Sequence, residues 1–369
     1  MSITVGKSVA RVDAFDKVTG RTKYYEDRMP AGALYIRIKH AEIAHGFVKS
    51  VDTAAAEAID GVVKVLTCFD VPDIPFPTAG HPWSMDPGHQ DVADRHLLNR
   101  HVRYYGDDVA VVIAENEVAA MQGVRALKVE YEELPFVLDA QKAMEPDAPQ
   151  IHENYPGNIL KHTDIRKGDY AAAIQEPGLI KVEGWYETPT VQHCHIENHG
   201  CYAYEENGRI VVVSSTQIPH IIRRIVGQAL GRPWADIRVI KPYIGGGFGN
   251  KQDALYEPLC AWCSTQVHGK CVRIDVKRHS SVTVCATRSA SISSRGSIRT
   301  ARLPRARSSA SPIRARMPRT AIQSSPRPWA RSRRSIPATI SRATLTPCTQ
   351  TAPPRARCAA TACRRPRSR

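Results

Sequence analysis

One boundary in this chain separates material that can build a core from material that cannot. From His279 to Arg369 there are 20 Arg, no Lys, no Asp, no Glu, one glycine (Gly296) and one aromatic residue (Trp329). The formal charge of the 369-residue chain is +15, and subtracting the tail's +20 leaves −5 for residues 1–278. The first region is mildly acidic and alternates apolar and polar stretches in the ordinary way. The second is an Arg/Ser/Ala/Pro string with few large apolar side chains to bury.

Three origins suit such a tail. A disordered basic segment that binds nucleic acid or anionic membrane would carry Lys beside Arg, some Gly and few Cys. This one has no Lys and holds Cys285, Cys348, Cys358 and Cys363. A second folded domain would show helical or strand periodicity, which is missing. The third origin is a shifted reading frame, because Arg, Ala, Pro and Ser have GC-rich codons and a GC-rich gene read out of frame drifts to this composition. Codons compatible with residues 311–320, regrouped from the third base, spell SNQGAYASHG, and those for residues 357–365 spell MRGYGMPQA. Sensible stretches in a single frame favour the shift. Residues 279–369 are thus read as an out-of-frame or disordered tail, with a non-catalytic basic protein whose tail binds nucleic acid as the alternative.

The first 278 residues suffice for two ordinary domains. No charged start followed by an apolar run stands at Met1, and no stretch of 18 apolar residues occurs, so neither secretion nor a membrane is expected. Cys68, Cys194, Cys201, Cys260, Cys263 and Cys271 are irregularly spaced and read as reduced cytoplasmic thiols rather than a disulfide framework.

Pattern predicts an α/β (α+β) fold. Strands are expected at 33–40, 47–51, 62–66, 108–114 and 127–133, with helix after Thr53 and over 116–123. This first unit is expected to close on itself by about residue 140 and to be able to fold alone. A polar stretch around 143–157 reads as a linker. A second unit, 141–278, is expected to hold strands at 179–187, 200–205, 209–214 and 237–241. Asn207–Gly208 supplies a tight turn. A helix starts at Pro219 and stops at Gly231, a second covers 253–267, and a buried strand covers 271–276. With the tail unable to cover it, this last strand and the helix before it are expected to leave open edges and apolar faces.

The sharpest local feature is Tyr243–Ile244–Gly245–Gly246–Gly247–Phe248–Gly249–Asn250–Lys251, a loop between a strand and a helix. Its glycines permit close backbone approach, and amides at a helix start would face an anionic or oxo ligand. Asn250 defeats two familiar phosphate loops: the Walker pattern needs Gly directly before Lys, and the dinucleotide fingerprint needs Gly at its third position. Gln217 ends a strand just before a helix, where its amide could donate to a bound oxygen or simply face solvent. Cys260–Ala261–Trp262–Cys263 with His195–Ile196–Glu197 has the parts of a zinc deaminase site. That signature places Pro immediately before the first Cys, whereas Leu259 intervenes here, so buried thiols on an apolar helix are the expectation. His193, His195 and His199 would share one face only of an unbroken strand.

Taken together, these residues resemble the molybdenum-binding subunits of the xanthine dehydrogenase/aldehyde oxidase family. The motifs occur in the family's order: Arg11–Val12–Asp13–Ala14, then the run from Lys17 to Tyr24, then Gly61–Val62–Val63–Lys64–Val65–Leu66–Thr67 and Val129–Glu130–Tyr131–Glu132–Glu133–Leu134–Pro135. Ser215–Thr216–Gln217 and Gly245–Gly246–Gly247–Phe248–Gly249 follow. The resemblance covers about Val5 to Arg278. It implies an α/β-hammerhead domain over 1–140 and the first part of a molybdopterin-binding domain over 141–278. It implies a molybdenum–molybdopterin cofactor that hydroxylates a purine or other heteroaromatic, with iron–sulfur and FAD subunits as partners in a hetero-oligomer. Gln217, Gly247, Phe248 and Gly249 would bind the cofactor, with Gln217 and the Phe248 backbone nearest the metal. Gln252 would meet the substrate, at a position where many xanthine-oxidising relatives carry Glu. The family's Arg-Gly-Tyr/Phe-Gly loop, its Gln-Gly-rich pterin segments and the Glu that activates the attacking oxygen lie downstream. None of them stands in residues 279–369 as written, although the regrouped MRGYG resembles the first. No catalytic residue is therefore expected in this chain, and cofactor binding and activity are not expected of it as written.

Overall fold

A computed structural model describes residues 6–77, 93–159, 163–167, 175, 177, 179–188, 193–276, 289–298, 305–312 and 340–345. The first half holds α1 (Ala14–Val18), β1 (Leu34–His40), β2 (Gly46–Asp52), the one-turn α2 (Ala54–Glu57), β3 (Val62–Thr67), β4 (His101–Val102), β5 (Asp108–Ala114), α3 (Glu117–Ala126) and β6 (Lys128–Glu133). After them come β7 (Thr163–Lys167), β8 (Leu179–Thr188), β9 (Gly200–Glu206), β10 (Arg209–Ser214), α4 (Pro219–Leu230), β11 (Ile237–Ile240), α5 (Glu257–Gln266) and β12 (Val272–Asp275). β13 (Ser289–Ile298), β14 (Arg305–Pro312) and β15 (Ile340–Leu345) complete the set.

β5 reads Asp-Val-Ala-Val-Val-Ile-Ala and every residue of it is buried. Such a run suits a strand covered on both faces. On one face, Ala110 and Val112 pack near Leu127, and Ala114 packs with Ala119 and Ala120 of α3. That helix is started by Asn116, whose side-chain oxygen accepts from Ala119 N at 2.9 Å. On the other face, Val109, Val111 and Ile113 join the largest core with Ile222 and Ile225 of α4 and Leu259 to Cys263 of α5. The amphipathic α4 and the apolar run Pro258 to Cys263 of α5 thus roof the same side of the sheet.

That sheet has seven strands in the order β11-β10-β9-β12-β1-β5-β3. β12 lies parallel to β1, with Leu34 opposite Val272 and Ile36 opposite Ile274, and antiparallel to β9. The expectation of open edges and uncovered faces at residues 271–276 and in the preceding helix is therefore corrected. Val272 and Ile274 are 0% and 2% exposed, because β12 is an interior strand and not an edge. For the same reason the first unit does not close on itself: its β1 is completed by a strand from more than 200 residues later. A separate three-stranded sheet, β4-β2-β6, flanks it.

The tail was expected to lack regular structure. Over three segments its backbone is extended instead, and β7-β15-β14-β13-β8 form a five-stranded sheet. β13 runs antiparallel to β8 from Ser289 opposite Thr188 to Ile298 opposite Leu179. The ladder is made by backbone N–H and C=O groups, which Ser, Ala and Arg supply as well as any residue. The remainder of 279–369 lies outside the described residues.

Candidate functional site

β10 carries Ile210 to Val213 into the core and delivers Ser215, Thr216 and Gln217 to the sheet's end. Pro219, at the first turn of α4, turns the chain away. Gln217 does not cap that helix, which has no side-chain cap bond. Its carbonyl oxygen accepts from Gly249 N at 3.2 Å, and its backbone N donates to Lys251 O at 2.8 Å. Gln217 and the glycine loop, 28 residues apart at their nearest, are thus in direct contact.

Close approach is what the glycines provide. A Cβ on Gly247 would lie 2.5 Å from Gln217 Oε1, and one on Gly245 would lie 2.5 Å from Glu197 Cβ. Phe248 is held at φ +51, a left-handed conformation that costs a residue with a side chain, and its ring is 61% exposed. Asn250 N closes the turn onto Gly247 O at 2.8 Å.

A polar layer lies beneath. Glu197 Oε2 accepts from Lys251 Nζ at 2.6 Å and from Gly245 N at 2.9 Å, while Glu197 N donates to Gly245 O at 3.2 Å. The Lys251 side chain is 1% exposed. Burial holds its pKa below the ordinary lysine value, with Glu197 opposing. Asn250 Nδ2 contacts His195 Nε2 at 3.0 Å, and His195 Nδ1 faces Glu197 O, the two contacts of a neutral imidazole with its proton on Nδ1. His199 stacks edge-on to His195 at 5.1 Å between ring centroids. Burial first, then the neighbouring His195 and Lys251, push its pKa down to about 3. On the far side, Glu257 accepts from Ser214 Oγ at 2.7 Å and from Leu255 N and Tyr256 N at 3.0 and 3.2 Å.

Several expectations change. The glycine loop does not open onto a helix start, because α5 begins at Glu257, eight residues past Gly249, and residues 250–256 run as turns. Pro258 at the second helical position sets that start. Gln252 sits half-buried in those turns. His193, His195 and His199 do not share a strand face, since β9 begins only at Gly200 and Cys194 adopts φ +50. Cys260 and Cys263 are fully buried, and Cys260 Sγ points at Val272 O, 3.5 Å away. Among the described residues no group of three or more His, Cys, Asp or Glu side chains is placed to hold a metal ion. No helix among them is long and apolar enough to cross a membrane. The Glu197–Lys251 pair was not anticipated. Its only sequence signal is that both residues adjoin conspicuous motifs.

The chain is similar to known proteins in sequence and in fold. The molybdopterin cofactor-binding domain profile matches residues 151–294, and the a/b hammerhead domain profile of aldehyde oxidase and xanthine dehydrogenase matches 19–135. The putative xanthine dehydrogenase molybdenum-binding subunit XdhA of Escherichia coli K12 is 44% identical over 281 residues, covering 76% of this chain and 37% of the relative. The nicotinate dehydrogenase large molybdopterin subunit of Eubacterium barkeri is 33% identical over 285 residues, covering 77% of this chain and 64% of the relative. The chain therefore spans little more than a third of the length of the first and under two thirds of the second. The aldehyde oxidoreductase structure from Desulfovibrio desulfuricans aligns with a TM-score of 0.81 at 25% identity, over 94% of this chain and 39% of that one. With both domain profiles matched in order, the chain belongs to the xanthine dehydrogenase/aldehyde oxidase family of molybdenum hydroxylases and carries the hammerhead and molybdopterin-binding domains of its molybdenum-binding subunits.

Proposed function

We propose that residues 1–278 form the hammerhead and the first part of the cofactor domain of a xanthine dehydrogenase-type hydroxylase, cytoplasmic and partnered by iron–sulfur and FAD subunits. Gln217, Gly247, Phe248 and Gly249 meet the molybdenum–molybdopterin group, and Gln252 meets the substrate. One observation carries this reading: Gly249 N holds the Gln217 carbonyl, which leaves the Gln217 Nε2 hydrogens for an outside acceptor. The residues fit a group that presents oxygen, because a donor amide lies directly against bare backbone, where any Cβ at position 247 would collide with Gln217 Oε1. When bound, the group supplies a two-electron oxidation that hydroxylates an electron-poor carbon of a purine or related heteroaromatic.

The chain's own residues orient and exclude. Gln217 donates one N–H at a fixed place. The bare backbone at Gly247–Gly249 lets the bound group approach, and the exposed Phe248 ring shields its flank. Gln252, a neutral amide, both donates and accepts where a carboxylate would only accept.

The reading is tested in two steps. Sequencing across codons 275–282 should reveal a frame change with the MRGYG stretch open downstream, and a stop codon before that stretch would overturn it. Purified chain as written should hold molybdenum far below one atom per chain, whereas the frame-restored subunit should approach one. In the restored enzyme Gln217→Ala should lower kcat for a heteroaromatic about a hundredfold, the usual cost of one preorganised donor. Stoichiometric molybdenum in the chain as written would refute the second step.

A further inference from the structure

Lys251 touches both parts of the candidate site without facing outward. Its ammonium donates to Glu197 Oε2, the same oxygen that accepts from Gly245 N. Its own carbonyl accepts from Gln217 N at 2.8 Å and faces Thr216 Oγ1 at 3.5 Å. One carboxylate oxygen therefore ties the first and last residues of the 245–251 loop together, and the last residue ties that loop to Gln217. The strained φ at Phe248 lies inside this closed ring.

We propose that Glu197 and Lys251 are positioning residues, a two-ended clamp that sets the Phe248–Gly249 backbone and the Gln217 amide relative to each other. The role assigned to those groups rests on the functional reading above, but the clamp itself is a property of this chain and can be tested without cofactor. Two physical points favour a positioning role over simple stabilisation. A buried ion pair contributes little net stability, because desolvation offsets the attraction. Glu197 Oε1 is also buried without a partner among the described residues, a further cost that packing alone would not retain.

The experiment is amide hydrogen exchange, read by mass spectrometry on the full 369-residue chain, following a peptide over 243–251 and a control over 210–214. Glu197→Gln and Lys251→Met each leave one buried charge alone, so both should unfold more easily and exchange about tenfold faster in the loop, the factor that one lost hydrogen bond of ordinary worth supplies. Glu197→Gln/Lys251→Met removes both charges. It should regain most of the lost thermal stability, with the 210–214 control back to wild-type exchange, while the loop stays fast. Gly245→Ala attacks from the other side, since its Cβ would displace Glu197 without changing any charge, and should also speed loop exchange. If the double variant restores loop protection along with stability, or if Gly245→Ala leaves the loop slow, the pair is structural only and the proposal fails. Fast loops in these variants, together with a frame-restored subunit that takes up no molybdenum, would sustain the clamp while counting against the cofactor reading.

Discussion

The seven-stranded and five-stranded sheets are both ladders of backbone hydrogen bonds, yet they are made of different material. β5, β10 and β12 supply Val and Ile that interdigitate with α4 and α5. β13 reads SASISSRGSI and β14 reads RARSSASP, sequences with two large apolar residues between them, Ile292 and Ile298. Backbone pairing can be satisfied by either composition, but the apolar area that a sheet removes from water is set by its side chains. The lesson is that strand pairing alone says little about where stability resides.

The largest effect should come from the strand that joins the two halves. Ile274→Asp places a carboxylate in the middle of the main sheet and should cost at least about 4 kcal/mol, enough to abolish the cooperative melt seen by circular dichroism. A variant that still melted near the wild-type temperature would mean that β12 is not interior.

Next in size is a pH effect. His199 has a folded pKa of about 3 against an ordinary 6.5, so the unfolded chain takes up the proton first. Stability should be full above pH ~6.5, fall by a few kcal/mol as pH drops towards ~3, and level off below that. His199→Gln should flatten that slope in denaturant titrations, and an unchanged slope would locate the acid sensitivity elsewhere. Ile225→Ala, in the roof over β10, should cost about 3 kcal/mol through its cavity. Asn116→Ala should remove about 1 kcal/mol with the cap of α3.

The smallest effect belongs to the tail. Deleting residues 279–369 should change the melting of the remainder by no more than about 0.5 kcal/mol. Limited trypsin digestion should first cut among the tail's arginines and leave a long-lived fragment ending near Lys277 or Arg278. A resistant fragment reaching past residue 340 would mean that the five-stranded sheet is as firmly held as the main one, and the contrast between the two would be lost.

Much of the scaffold was legible because it is local. The alternation in 34–40, the buried run of 108–114, the Asn207–Gly208 turn and the Pro219-to-Gly231 helix each carry their signal within a few residues. The pattern places the start of α5 four residues early because Asp253 to Tyr256 are apolar or capping in character, whereas Pro258 at the second helical position sets the start at Glu257. Glu197 and Lys251 carried no periodic signal, since neither lies in a regular element, and a contact across 54 residues leaves no mark in spacing.

By itself the sequence determined which stretches could be strand or helix, where material for a core stops, and which motifs bear a family's chemistry. Those follow from side-chain period, turn residues and composition, all properties of neighbours along the chain. The tertiary structure alone decided that the two halves share one sheet through β12, that Gln217 faces the glycine loop, and that a single oxygen of Glu197 holds that loop at both ends. Register between distant strands and the partner of a buried charge depend on which surfaces remain to be covered once everything else has packed, and no local pattern encodes that.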